Sequence, residues 1–369
     1  MATTAFALLV AACGSDESES ADRPEQESSE SAGIESEAAP TSLVEEEPSA
    51  LAATDEFGEP DGPTYPYTGQ PVDEPVADAA LARPALVVKV DNHPRARPQT
   101  GLDEADMVFD VRAEGVTRFA AVFHSVTPEP VGPVRSSRTS DFDLLTGLDN
   151  PLYASSGGNA YVARNLRTLP IVELTNLTRT EYFRDFSRPA PHNLYVNGSD
   201  LYDLAPPDLP APQPWFQYRY GESDDLPANA VAITGPVVIA YPGSPTVTHT
   251  WDPSVEGWLR TQDANPHTTA GGDQLAPENV VIMVTDYSTS PADAISPEVR
   301  STGSGPVVVL SNGWAVAGTW ERPEAEDKPT LLDGDGNTIA LAPGRTWILM
   351  PENGQVSFPD GQTPPDWTG

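Results

Sequence analysis

The chain is short of cysteine, of positive charge and of long apolar runs. One cysteine in 369 residues rules out an intrachain disulfide and any zinc site built from several thiolates. Lys and Arg number 20 against 55 Asp and Glu, a formal net charge of -35. A phosphate backbone calls for a broad basic surface, so nucleic acid is excluded as an expected partner. No apolar run approaches the ~20 residues that cross a bilayer as a helix. Histidine is scarce, at five, and no HExxH-type motif occurs, so neither a metal nor a cofactor is expected. Proline is abundant instead, with 40 residues beside 28 glycines, which means many turns and argues against a helical bundle.

The first 13 residues have a particular chemistry. Residues 6–12 (FALLVAA) form an apolar run the size of a signal-peptide core, and Val10-Ala11-Ala12-Cys13 resembles the lipobox of bacterial lipoproteins. Small residues before the thiol suit a signal peptidase, and the thiol takes a diacylglyceryl group before cleavage makes it the new N-terminus. Residues 1–13 are therefore expected to be a lipoprotein signal peptide, with Cys13 lipidated by palmitate-like chains. One acyl chain anchors weakly, so stable retention calls for several. The expected location is the outer face of the bacterial cytoplasmic membrane. No Lys or Arg precedes the apolar run, so the true start codon is expected upstream.

Residues 14–63 are rich in Ser, Glu, Ala and Pro and have no periodic apolar pattern. Such a segment buries too little to offset its chain entropy, which predicts a disordered acidic linker. As a flexible coil of ~50 residues it reaches roughly 40 Å, further with charge repulsion. Beyond it the charge pattern changes: 13 of the 20 Lys and Arg fall within residues 81–200.

Strand signals begin with ALVVKVDN (85–92), MVFDVRAEG (107–115) and RFAAVFHS (118–125), β-branched or aromatic runs bounded by turns. A short helix around 144–148, a strand at 151–156 and a helix at 159–168 follow. This alternation predicts an N-terminal α/β layered domain over 64–210. After proline-rich turns, short strands are expected near 237–241, 246–251, 257–261, 280–286, 305–310, 313–318 and 345–350, forming a mostly-β C-terminal domain over 225–355. The expected fold class is α+β.

Two loops have the composition of an anion site. In Gly132-Pro133-Val134-Arg135-Ser136-Ser137-Arg138, ahead of a short helix, Ser136 or Ser137 is a natural N-cap. Arg135 and Arg138 on the first turn would add bidentate contacts to phosphate or carboxylate. The same arginines equally fit pairing with Asp141, Asp143 or acids elsewhere to brace the fold. Ser155-Ser156-Gly157-Gly158-Asn159 falls where a strand ends and a helix begins, the usual place for a ligand loop in an α/β sheet, and a plain turn fits it as well. His93 and His192-Asn193 sit in proline-flanked loops near arginines, fit either for proton transfer or for locking the loops. Alternation puts Asp110, Arg112 and Glu114 on one face of their strand and Lys89, Asp91 and His93 on one face of theirs, so mixed charges are expected to line neighbouring strands. Asp110, Glu114, His93 and His192 are the candidate catalytic groups. Asp333-Gly-Asp335-Gly-Asn337 starts like a calcium loop but lacks the twelfth-position Glu and fits a hairpin turn better.

The segments 89–125, GPVRSSR (132–138), SSGGNA (155–160) and RPAPHNLY (188–195) resemble the YerB-like family, bacterial lipoproteins defined by domain of unknown function 3048. NPHT (265–268), ENVVIM (278–283), GTWER (318–322) and LAPGRTW (341–347) resemble that family's second domain. The resemblance covers roughly 63–355 and implies an extracytoplasmic lipoprotein with a two-part body, and no reaction. Three roles fit the residues. One is binding of an anionic envelope component: a phosphorylated glycan, a polyprenyl phosphate or other lipid-linked glycan, or peptidoglycan. Another is an envelope hydrolase or phosphotransferase at the same site, although no GxSxG or SxxK nucleophile motif is present. The third is a structural lipoprotein that meets a protein partner through aromatics such as Trp314 and Trp320. In a chain extended upstream to a complete signal peptide, Cys13→Ala is expected to move the protein from the membrane to the soluble fraction on cell fractionation.

Overall fold

The computed structural model describes residues 57–72, 81–175, 181–220 and 227–369. Cys13 and the expected linker up to residue 56 lie outside the described residues. In chain order the first half contributes β1 (Leu86–Asp91), β2 (Met107–Arg112), β3 (Thr117–Phe123), α1 (Asp141–Thr146), β4 (Leu152–Ala154), α2 (Ala160–Leu166), β5 (Val172–Glu173), β6 (Tyr182–Arg184), β7 (Leu194–Val196) and α3 (Gly198–Tyr202). The second contributes β8 (Val231–Ala232), β9 (Val237–Ala240), β10 (Thr246–Asp252), β11 (Gly257–Gln262), β12 (Asn265–Pro266), β13 (Asn279–Met283), β14 (Tyr287–Thr289) and β15 (Pro297–Val299). It ends with β16 (Gly303–Ser311), β17 (Trp314–Arg322), β18 (Thr330–Asp333), β19 (Thr346–Leu349) and β20 (Val356–Ser357).

Burial explains why the runs read as they do. Every residue of β1 (LVVKVD) and β13 (NVVIM) is buried, the pattern of strands covered on both faces, so their sequences are nearly continuous β-branched apolar runs. In β10 (TVTHTWD) Val247 and His249 are fully buried while Thr248 and Thr250 are only partly so, as expected for a strand with one covered face. Helix α2 starts where the Asn159 side chain accepts the Val162 N–H at 3.0 Å, and it turns Val162 and Leu166, four residues apart, into the core.

One mixed sheet of eleven strands runs through both halves, in the order β18-β17-β16-β13-β19-β2-β3-β1-β4-β5, with β8 also on β17. The halves meet where β19 lies parallel to β2, with Thr346 opposite Met107 and Leu349 opposite Asp110. On one face α1, α2 and the Trp215–Tyr218 stretch pack over Val87, Phe109, Val122 and Ile348. On the other, a five-stranded sheet, β12-β11-β10-β9-β20, places Trp258, Val247 and Ile239 against Val280, Ile282 and Trp347. The described body is thus mostly strand. Strand and helix do alternate from β3 to β5, but the three helices α1–α3 are five to seven residues long, too short to form the helical layers expected of the N-terminal half.

The expected line of mixed charges along one sheet face is corrected by the register. Lys89 pairs with Ala120 and Ala120 with Phe109, so Lys89 shares its face with the helices. Asp110 pairs with Phe119, and Phe119 with Val90, which places it on the opposite face. Asp110 is fully buried there: Arg260 Nη2 donates to its Oδ2 at 2.8 Å, and Trp347 Nε1 at 3.2 Å. Arg260, equally buried, lies over the rings of Trp347 and Phe119, 4.9 and 5.4 Å from their centroids. On the helix face Lys89 and Asp141 form a second buried pair at 2.5 Å. The aromatics proposed for partner contact also divide: Trp320 is buried, its indole N–H on Val284 O at 2.9 Å, and only Trp314 reaches the surface. The Asp333 carboxylate accepts the N–H groups of Asp335 at 3.0 Å and Asn337 at 2.8 Å, closing its own turn.

Breaking a buried ion pair strands one charge away from water. Arg260→Met is therefore expected to cost about 3–5 kcal/mol, read as a lowered urea midpoint of the full chain. The double variant Asp110→Leu/Arg260→Met is expected to recover most of that loss.

Candidate functional site

A pocket of about 390 Å³ opens at the end of the β1–β3 part of the sheet. Backbone pairing of Asp91 with Arg118 brings both side chains out on the same face there. The 133–135 segment runs along the end of β1, with Asp91 N on Pro133 O at 2.9 Å and Arg135 N on Lys89 O at 2.7 Å, which carries Arg135 beside Asp91. The β2–β3 turn supplies Glu114 and Val116, and the loop between β14 and β15 supplies Asp293, Ile295 and Ser296. Both halves of the chain therefore build the walls.

Glu114 collects most of the positive charge. Arg138 grips it with two bonds, Nε at 2.5 Å and Nη2 at 2.9 Å, Arg118 Nη2 adds a third at 3.1 Å, and Ser296 Oγ donates at 2.5 Å. Burial by itself raises this carboxyl. Hydrogen bonds from Arg138 and Ser296 and the charges of Arg118 and Arg138 outweigh it and hold the group at about 2. Burial, helped by the like charge of Arg138, pushes Arg118 down to about 10.

Asp91, itself buried, is shared. Its Oδ1 accepts the His93 N–H at 3.0 Å, and its Oδ2 accepts His192 Nδ1–H at 2.7 Å. Arg135 Nε lies 3.4 Å from the same Oδ2 without hydrogen-bond geometry. The terminal amines of Arg135 donate to no protein group among the described residues, and its side chain is 24% exposed. Among the described residues it is the one pocket arginine that donates no hydrogen bond to a carboxylate.

The two histidines stack, centroids 4.3 Å apart and planes 14° from parallel. His93 Nδ1 accepts the Arg95 N–H at 3.1 Å, capping the single turn Pro94–Ala96. A nitrogen that accepts a backbone N–H carries no proton, so the His93 proton sits on Nε2. Burial, and then His192, lower the His93 pKa and keep that neutral form. His192, 6% exposed, lies behind His93 and orients on Asp91.

The other expected site residues support the pocket from behind. Ser136 and Ser137 do not cap α1. The chain is still non-helical there, Ser140 takes the N-cap position, and the N–H of Arg138 bonds Asp141 Oδ2 at 2.8 Å. Arg135 and Arg138 accordingly do not share a helical turn. Ser136 Oγ meets Ser156 Oγ at 3.1 Å, and Ser137 Oγ donates to Ser155 Oγ at 2.7 Å while accepting Tyr153 OH at 2.9 Å. Gly157 adopts φ +98° and accepts the Ser137 N–H through its carbonyl at 2.8 Å. Gly158 packs against Val162, and Asn159 caps α2 and donates to Ala292 O at 3.2 Å. Asn193 accepts Arg184 at 2.6 Å and donates to Arg188 O at 3.2 Å, a loop lock. Asp110 lies on the far face of the sheet, out of reach of the pocket. Arg118 and residues 293–296 are missed by local sequence patterns: Arg118 reads as an ordinary strand residue, and nothing near Asp293 ties it to Glu114, 179 positions earlier. A second depression, about 240 Å³, has apolar walls of Leu102, Val108, Leu275 and Trp347, and its Arg345 is held by Glu278 at 2.9 Å.

The carboxyl of Glu114 in the unfolded chain titrates near the ordinary value of 4.5, and in the folded chain near 2. Its contribution is therefore complete above pH 4.5 and fades as pH falls toward 2. Carboxyl ¹³C titration of the folded protein is expected to show Glu114 still ionised at pH 3.5; a midpoint above 4 contradicts the arginine clamp.

Two family profiles match the chain: the N-terminal domain of a protein of unknown function (DUF3048) over residues 67–208, and the C-terminal domain of the same family over 237–348. The chain is 30% identical over 315 residues to YerB of Bacillus subtilis (strain 168), a protein whose name classes it among lipoproteins; the match spans 80% of this chain and 89% of YerB. The crystal structure of YerB from Bacillus subtilis superposes with a TM-score of 0.69 at 24% identity, covering 81% of this chain and all of that one, and so shares the fold. The motifs that shape the pocket and the buried pairs lie inside the matched segments, and the chain belongs to the YerB-like, DUF3048 family.

Proposed function

We propose that this protein is a lipid-anchored envelope-binding protein, tethered through Cys13 at the outer face of the cytoplasmic membrane, whose pocket holds the anionic group of a cell-envelope ligand. Phosphorylated glycan, polyprenyl phosphate and peptidoglycan are the candidate classes. The tether rests on the lipobox-like Val10–Cys13 sequence and on the lipoprotein name of YerB. The observation that carries the binding reading is Arg135. It lines the pocket with terminal amines unpaired among the described residues, whereas Arg138 and Arg118 are spent on Glu114. A guanidinium with both terminal amines free presents the planar fork that carboxylates and phosphates accept.

One observation favours an envelope hydrolase or phosphotransferase at the same place. Asp91 holds His192 through Nδ1, so the other ring nitrogen is oriented and free of protein bonds among the described residues. This is the pairing that serves proton transfer in many hydrolases. His192→Ala separates the readings, since it stops turnover in an enzyme and leaves retention intact in a binding protein.

For the binding reading, the full chain is applied to purified envelope polymer and to vesicles containing polyprenyl phosphate. Arg135→Ala is expected to weaken retention by about tenfold or more, the worth of a charge-assisted hydrogen-bonded contact. Arg138→Ala is expected to lower stability first, because it releases Glu114. Retention unchanged by Arg135→Ala on every surface sinks the proposal.

A further inference from the structure

The pocket's charges do not suit a bare dianion. Arg118, Arg135 and Arg138 face Asp91, Glu114 and Asp293 across the same space, so cations and anions balance in number. Internal pairing then removes most of them. Glu114 engages Arg138 and Arg118, and Asp91 engages His192 and the Nε side of Arg135. Two charges remain with bonding capacity toward the pocket. One is the terminal fork of Arg135. The other is Asp293, whose Oδ1 accepts the N–H groups of Ile295 at 3.0 Å and Ser296 at 2.7 Å, while Ser296 Oγ lies 2.8 Å from Oδ2 with its single proton shared between Asp293 and Glu114. Those bonds fix the Asp293 rotamer and hold its carboxyl below the usual carboxylate range, yet no cation pairs with it among the described residues.

From this balance we infer that the pocket takes a small zwitterion of the amino-acid or peptide class, its carboxylate on Arg135 and its ammonium on Asp293. His93 is placed to add a neutral Nε2–H donor on the carboxylate side, since its Nδ1 is fixed as an acceptor by Arg95. Ile295, 80% exposed on the rim, and Val116 in the wall offer apolar contact to a small side chain. A volume of about 390 Å³ has room for a dipeptide end. A phosphate dianion in the same place gains the Arg135 fork but meets the unpaired Asp293, so like-charge repulsion disfavours it. This inference rests on the anion-site reading and adds the second charge to it.

The test is isothermal titration of the full chain with four probes: alanyl-alanine, its N-acetyl form, its C-terminal amide and inorganic phosphate. Alanyl-alanine is expected to bind. Amidation is expected to weaken it about tenfold, and acetylation about fivefold, because Asp293 is partly exposed and its pair is screened. Asp293→Asn keeps an acceptor oxygen for the Ile295 and Ser296 N–H groups, so the loop is retained. In that variant the free and acetylated dipeptides are expected to bind alike, at the wild-type affinity of the acetylated form. Arg135→Ala is expected to weaken binding of both by about tenfold or more. If the wild type binds acetylated and free dipeptide equally, or binds phosphate more tightly, the zwitterion assignment is overturned, while weakened binding in Arg135→Ala still upholds the anion site. If none of the four probes binds up to its solubility, or Arg135→Ala binds as the wild type does, both fall.

Discussion

The structure depends on one backbone pairing, that of Thr346–Leu349 in β19 with Met107–Asp110 in β2. A parallel pair needs a long crossover, and here the connection is most of the chain. That pairing makes one sheet out of two halves. It places Trp347 where its indole N–H meets Asp110, and it sets the β13–β16 region beside β2, so that the β14–β15 loop reaches Glu114. Without it, each half loses one wall of the pocket and one partner of its buried charge.

The two sheet faces then handle charge differently. Toward the five-stranded sheet, Asp110 and Arg260 are taken out of water entirely and joined to His267, whose Nε2–H donates to Gln99 at 2.9 Å. Gln99 donates in turn to the Asp91 carbonyl at 2.9 Å, which links this interior cluster to the strand end that holds the pocket. Desolvation makes such a cluster costly to disturb and of little direct use to a ligand. Toward the helices, the charges at the strand ends keep access to solvent. There Glu114 engages two arginines and leaves the third with spare donors. Whether an arginine is taken up by the fold or keeps spare donors is therefore a matter of geometry: which guanidinium can reach Glu114 and which is limited to the edge of Asp91.

Much of this was legible in the residues. Runs such as LVVKVD and NVVIM announce buried strands because both faces are covered, and the strands of both halves fall close to where alternation and turn residues put them. The helix expected from 159 begins there because the Asn159 side chain caps it. The Arg135–Arg138 segment was legible as charge seeking a partner, with the choice between ligand and carboxylate left open. Periodicity misleads where the register between strands decides the face, as at Asp110. Capping rules mislead at Ser136 and Ser137, because the chain stays non-helical there while it bonds the 155–157 loop.

By itself the sequence determined the local chemistry: a lone thiol after a short apolar run, an acidic low-complexity stretch, a strand-rich body, and arginines gathered in 81–200. These follow from composition and from spacings of a few residues, over which backbone geometry is predictable. Only the tertiary structure decided which charges are neutralised. Glu114 meets Ser296 across 182 positions, and Asp110 meets Arg260 across 150. Such distances along the chain carry no local signal, because they are set by strand order and register, and these arise from packing the whole sheet. The arginine-rich segment announced charge in search of partners, and the fold left Arg135 as the pocket arginine with spare donors among the described residues.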